Sequence, residues 1–158
     1  MTAGANREEM TEVLFYHLTE RTLEQTLPGL LEKSLERGWR AVVQAGSKER
    51  VEALDALLWT WRDDGFLAHS ASNDAFAKYQ PVFLTTEAGN PNGAQIRFLV
   101  DGAEAPPLDD YERGVYLFDG HDAEAVAQAR TRWKAEKENG HAITYWQQKP
   151  GGGWERKA

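Results

Sequence analysis

Residues 13–45 read VLFYHLTERTLEQTLPGLLEKSLERGWRAVVQA. The stretch opens on Val13-Leu14-Phe15-Tyr16-His17-Leu18, an apolar, aromatic-rich run of the length expected for a buried strand. Thr22 and Gln25 then stand at capping-box spacing, hydroxyl at the N-cap and amide three residues on. Behind them Leu23, Leu27, Leu30, Leu31 and Leu35 recur at helical intervals, and Gly38 is placed to stop the helix. Pro28 falls inside that pattern, which predicts a kink or a delayed start. Trp39 to Ala45 (WRAVVQA) reads as a second strand.

The alternation continues outward. Gly46-Ser47 leads into a second helix with Val51, Leu54, Leu57, Leu58 and Trp61 on one broad face. Residues 63–80 are polar and loop-like. Pro81 to Thr85, Gln95 to Val100 and Val115 to Phe118 read as three more strands, with the turn Asn90-Pro91-Asn92-Gly93 and the breaker Pro106-Pro107 between them. A last helix runs from Asp122 to Asn139, and Ala142 to Trp146 is the closing strand. Continuous apolar strands separated by helices specify an α/β fold, its largely parallel sheet covered on both faces. The Asn-Pro-Asn-Gly turn suggests one antiparallel pair. Residues 1–9 read as a disordered leader, 10–147 as a single domain and 148–158 as a flexible tail.

Composition excludes several classes. At 158 residues the chain can bury a core without disulfide or metal. With no cysteine, thiolate zinc sites and cysteine nucleophiles are ruled out. No apolar run approaches the ~20 residues needed to span a bilayer, and the expected compartment is the cytoplasm. The net charge of −7 opposes direct phosphate binding unless the cations gather on one face.

The fold class invites a nucleotide, yet the first strand–helix turn, His17-Leu18-Thr19-Glu20-Arg21-Thr22, has no glycine to admit a pyrophosphate. The second, Ala45-Gly46-Ser47-Lys48-Glu49-Arg50, lacks the spaced glycines and residue order of a P-loop. No metal or other cofactor is expected: His17, His69, His121 and His141 form no i, i+4 pair. Asp63-Asp64 and Asp109-Asp110 suit turns and caps, and Ser70 and Ser72 lie outside any nucleophile elbow. No catalytic constellation emerges.

Two features remain. The last helix is acidic at its start and basic at its end, with Arg130, Arg132, Trp133, Lys134 and Lys137. Arg130, Lys134 and Lys137 share one face, with Trp133 at its edge. Dipole complementation is the simpler explanation of such a layout; the sharper one is an acceptor for an acidic peptide, with Trp133 packing its apolar end. The second feature is Leu54-Asp55-Ala56-Leu57-Leu58-Trp59, followed by Phe66 and His69. A nucleotide-dependent α/β enzyme and a direct single-strand binder using Trp133 are the competing readings; the missing glycine loop opposes one and the net charge the other.

The order L-D-x-x-L-W, then F-x-x-H (Leu54, Asp55, Leu58, Trp59, Phe66, His69), then A-R-x-R-[YW]-K (Ala129, Arg130, Arg132, Trp133, Lys134), resembles the chi subunit family of the bacterial DNA polymerase III holoenzyme. The opening Phe-Tyr strand, the Pro-Val of the third strand and Thr144-Tyr145-Trp146 fit as well. The resemblance implies a three-layer Rossmann-like sandwich without a nucleotide, and a non-catalytic adaptor in DNA replication. It implies one surface, at Arg130, Trp133 and Lys134, for the acidic C-terminal tail of single-stranded-DNA-binding protein, with Trp133 in place of a tyrosine. It implies another, at Trp59 and Phe66, for the psi subunit of the clamp loader or for a helicase, so that DNA is met only indirectly. Asp119 and Val126 depart from the family, which can carry an apolar residue and a lysine there.

Overall fold

In the computed structural model, which describes residues 10–61, 69–71 and 77–158, the capping box closes as its spacing predicts. Gln25 N donates to the Thr22 hydroxyl at 3.2 Å, and Thr22 N donates to the Gln25 side chain at 3.0 Å. These bonds satisfy donors that a helix start otherwise leaves open, so helix α1 begins at Leu23, ahead of Pro28, and runs Leu23–Glu36. Pro28 therefore does not delay the start. Gly38 ends the helix in the left-handed region, at φ +84.

Strand β1 (Glu12–Leu18) precedes α1, and β2 (Ala41–Gln44) follows it. Next come α2 (Lys48–Thr60), capped by Ser47, a two-residue β3 (His69–Ser70), a short 3-10 turn (Ala77–Tyr79), β4 (Val82–Thr85), β5 (Ile96–Leu99) and β6 (Arg113–Asp119). Helix α3 (Ala123–Glu138), β7 (Ala142–Gln148) and β8 (Trp154–Arg156) complete the order. Among the described residues the strands form one sheet, β3-β4-β2-β5-β6-β1-β7-β8. Every neighbouring pair is parallel except β7 and β8.

Side chains alternate between two covered faces. On one, Leu14, Val43, Leu84, Phe98 and Val115 meet Leu27 and Leu31 of α1 and Val51, Leu54 and Leu58 of α2. On the other, Val13, Phe15, Val42, Leu99 and Tyr116 meet Ala129 of α3 together with Leu108 and Tyr111 from the loop before β6. The fold is thus the expected α/β sandwich, with helices on both faces.

Two local expectations are corrected. The Asn90–Gly93 turn forms, with Gly93 at φ +64, but β4 and β5 on either side of it do not pair; both flank β2 in parallel. The connecting loop is held by Arg97, which is fully buried. Its guanidinium donates to the carbonyls of Glu87 and Gly89, to Tyr111 Oη and to Gln44 Oε1. The antiparallel pair lies instead at the C-terminus. Residues 148–158, expected as a flexible tail, turn through Gly151, Gly152 and Gly153, all at positive φ, and return as β8. The Trp154 ring stacks on Tyr16 at 4.5 Å, an apolar anchor that outweighs the glycines' preference for disorder. Strand β3 falls in the segment read as loop.

Candidate functional site

In a parallel α/β sheet the usual ligand position is the crevice beyond the strand carboxyl ends, where connections leave to opposite faces. Here β1 leads to α1 on one face and β6 leads to α3 on the other. The cleft between them holds about 740 Å³. Three successive backbone N–H groups, those of Thr19, Glu20 and Arg21, converge there, the kind of nest that elsewhere cradles a phosphate. All three donate to one atom, Gln148 Oε1, at 3.0, 2.9 and 3.0 Å. The end of β7 occupies the nest. Around it stand Glu20, Glu24, Asp101, Asp119, Asp122 and Glu124 with Arg21 and Arg132, and Arg50 is already paired with Glu24 and Asp101, so the lining is net acidic and repels polyphosphate. Among the described residues no group of three His, Asp or Glu side chains is placed to hold a metal.

The basic helix is split by its own geometry. Arg132 leaves α3 on the β5 side, donating to the carbonyls of Ala103 and Gly102, with its guanidinium 5.5 Å from the Tyr116 ring centroid. It fastens the helix to a loop and stands apart from Arg130. On the opposite flank Trp133, half-buried, meets Phe15 edge-on at 5.5 Å and Tyr145 at 5.9 Å. Arg130 is exposed beside Tyr145, close enough that its charge opposes the rise which burial imposes on the phenol's pKa. Lys134 and Lys137 are exposed on the same helical face as Arg130.

The aromatic rings beside these cations come from strands that are neighbours in space only. Register sets His17 of β1 beside Phe118 of β6, and Phe15 beside Tyr145 of β7. The His17 and Phe118 rings stack at 5.0 Å, and Tyr145 Oη lies 2.9 Å from His17 Nδ1. Burial lowers the His17 pKa, opposed by a hydrogen bond to the Gly120 backbone. His17, Phe118 and Tyr145 are half-buried, so the open part of the sheet face presents aromatic edges beside exposed cations. The sequence reading of this surface included none of the three. Asp119, one of the two departures from the family pattern, accepts the His121 N–H at 2.8 Å and so shapes the turn into α3. Val126 is half-buried one turn before Arg130.

The second sequence feature resolves into parts with separate duties. Leu54 and Leu58 are core. Asp55 Oδ1 lies 2.9 Å from His69 Nε2, and the Trp59 ring sits 4.7 Å from the His69 ring. Aspartate, tryptophan and histidine thus join the outer turn of α2 to the edge strand β3. Trp59 remains 55% exposed, unusual for so large an apolar side chain. Phe66 lies outside the described residues.

Residues 10–144 match the family described as DNA polymerase III chi subunit, HolC. A protein of Rickettsia prowazekii (strain Madrid E), named probable DNA polymerase III subunit chi, is 25% identical over 113 residues, covering 72% of this chain and 68% of that one. A match over most of the described domain, on a parallel α/β fold whose crevice nest is filled by its own Gln148, places the chain in the DNA polymerase III chi subunit family.

Proposed function

We propose that this chi-family protein is a non-catalytic adaptor that links single-stranded-DNA-binding protein to the clamp loader. The observation that carries the reading is the surface where α3 packs beside β7. Exposed Arg130 and Lys134 stand over a half-buried floor of Trp133 and Tyr145. Such a surface suits a peptide that is acidic along its length and apolar at its end. Arg130 and Lys134 meet the carboxylates, and Trp133 packs the terminal side chain. Lys137 extends the cationic stripe by one turn. Arg132, expected with them from the sequence, acts on the other flank and is left out of the contact set.

The second surface centres on Trp59, and the family pattern adds Phe66 to it. It receives the psi subunit or a helicase. DNA is engaged only through these partners, consistent with a net charge of −7. Affinity for the tail is expected near micromolar, about −8 kcal/mol, weak enough for partners to exchange.

The test is fluorescence anisotropy with a labelled acidic C-terminal tail peptide of single-stranded-DNA-binding protein. Micromolar binding is expected, weakened at least about tenfold, or 1.4 kcal/mol, in both Arg130→Ala and Trp133→Ala. Absence of binding by the folded wild type at low salt would overturn the reading.

A further inference from the structure

Beside Arg130 the sheet face holds a hydrogen-bonded pair whose direction depends on which His17 nitrogen carries the proton. His17 presents one ring nitrogen to the Gly120 backbone and the other, Nδ1, to Tyr145 Oη at 2.9 Å. The fit against Gly120 is close: a Cβ there would lie 2.3 Å from His17 Nε2 and 2.9 Å from the Leu18 carbonyl oxygen. A neutral ring that carries its proton on Nε2, the nitrogen packed against Gly120, leaves Nδ1 bare, and Nδ1 then accepts the single phenolic proton of Tyr145. In that state Tyr145 has no donor to offer a ligand.

Protonation at Nδ1 reverses the bond. The imidazolium then donates from both nitrogens, Tyr145 Oη becomes the acceptor, and its O–H is released toward the surface where Arg130 stands. We infer that His17 and Tyr145 form a proton-linked latch for a peptide carboxylate: the carboxylate settles between the Arg130 guanidinium and the Tyr145 hydroxyl, and one proton from solution binds His17 Nδ1 as it does so. This rests on that surface being the acidic-tail site, and it adds a specificity residue on β1 to those on α3.

The charges around the ring come from three elements. Asp119, the last residue of β6, favours the imidazolium; His121, in the turn that follows, opposes it, and Arg130 of α3 acts on the neighbouring Tyr145. Burial is the largest influence and holds the ring neutral in the free protein, with its pKa lowered from 6.5. A bound carboxylate supplies the missing counter-charge. Affinity is therefore expected to be flat at alkaline pH and to rise as pH falls toward the free-protein pKa of His17. The gain is about tenfold for each unit by which the ligand raises that pKa.

Titration calorimetry of the full chain with the tail peptide, between about pH 8 and pH 5.5 and in buffers of unlike ionisation heat, reads both affinity and proton uptake. The wild type should take up protons and bind more tightly at low pH. His17→Gln and Tyr145→Phe should still bind, with flat profiles and no uptake. Wild-type binding without uptake, or an unchanged profile in His17→Gln, would sink the latch and leave the adaptor reading standing. No binding at any pH would remove both. Nitrogen NMR of the free wild type should find His17 in its Nε2–H form; the Nδ1–H form would overturn the latch irrespective of the peptide.

Discussion

Replacing Gln148 with alanine removes a single acceptor on which three backbone donors depend. The bonds are 3.0, 2.9 and 3.0 Å from Thr19, Glu20 and Arg21, and Gln148 itself is 7% exposed. A neutral hydrogen bond contributes about 1 kcal/mol net, so the three together set an upper scale of about 3 kcal/mol. Glu20 and Arg21 are exposed and Thr19 half-buried, so water can serve part of the demand, which brings the expected loss to about 2–3 kcal/mol. For a chain of this size about 1 kcal/mol lowers Tm by roughly 2–4 °C, giving a fall of about 4–12 °C. Urea titration should show a lower midpoint with an unchanged m-value, because the change is local. Gln148→Glu keeps an oxygen acceptor in the nest and should recover at least half of the loss. A Gln148→Ala chain within about 0.5 kcal/mol of wild type would refute the reasoning, since water would then serve the three N–H groups as well as Gln148 does.

Arg132→Ala should lower stability by about 1–2 kcal/mol, through its lost bonds to the Gly102 and Ala103 carbonyls. It should leave tail-peptide affinity within about twofold, whereas a tenfold loss would put Arg132 in the tail site. Trp154→Ala removes the stack on Tyr16 and should cost about 1–2 kcal/mol. Amide exchange should quicken selectively over residues 154–156, and unchanged protection there would mean that the turn alone holds β8. Tyr16, Tyr116 and Tyr145 all have pKa values raised above 10.0, chiefly by burial. The unfolded chain therefore releases these protons first, so their stabilisation is complete below about pH 10 and is lost as pH rises beyond it. Urea midpoints measured from about pH 8 to 11 should fall at the alkaline end, less steeply in Tyr116→Phe. A flat profile would contradict the burial of these phenols.

What could be read before folding follows from the range of the interactions. The capping box, the Gly38 stop and the leucine spacing act within one or two turns of chain, so α1 was legible almost residue by residue. The β7–β8 hairpin was not, because its anchor is a contact between Trp154 and Tyr16, far apart in sequence, and three glycines nearby argue for disorder. The candidate site divides in the same way. Arg130, Lys134 and Lys137 share a face by helical arithmetic alone. That Arg132 turns away to the Gly102 and Ala103 carbonyls follows from the same arithmetic, once the candidate surface is known to lie on the other flank. His17, Phe118 and Tyr145 come from β1, β6 and β7, which lie in the sheet in the order β6-β1-β7 rather than in sequence order. Only the sheet's register brings them together.

The arrangement also bears on how the proposed peptide surface relates to the crevice where sheets of this kind usually hold a ligand. A parallel sheet whose connections depart to opposite faces opens a crevice at its carboxyl end whatever its sequence. In this chain a residue from the last parallel strand fills the donor nest, acids line the mouth, and Arg50 ties Glu24 to Asp101 across it at 2.7 and 2.9 Å. Recognition then needs another surface. Arg132 fastens α3 toward the loop on its β5 side, while Trp133 covers only Phe15 and the edge of Tyr145. Beyond the helix, β1 and β7 keep aromatic rings half open beside Arg130. Exposed cations on a rigid aromatic floor give attraction that salt can screen and packing that it cannot. In the proposed role, that combination would let an acidic peptide arrive quickly, seat in one register and leave again.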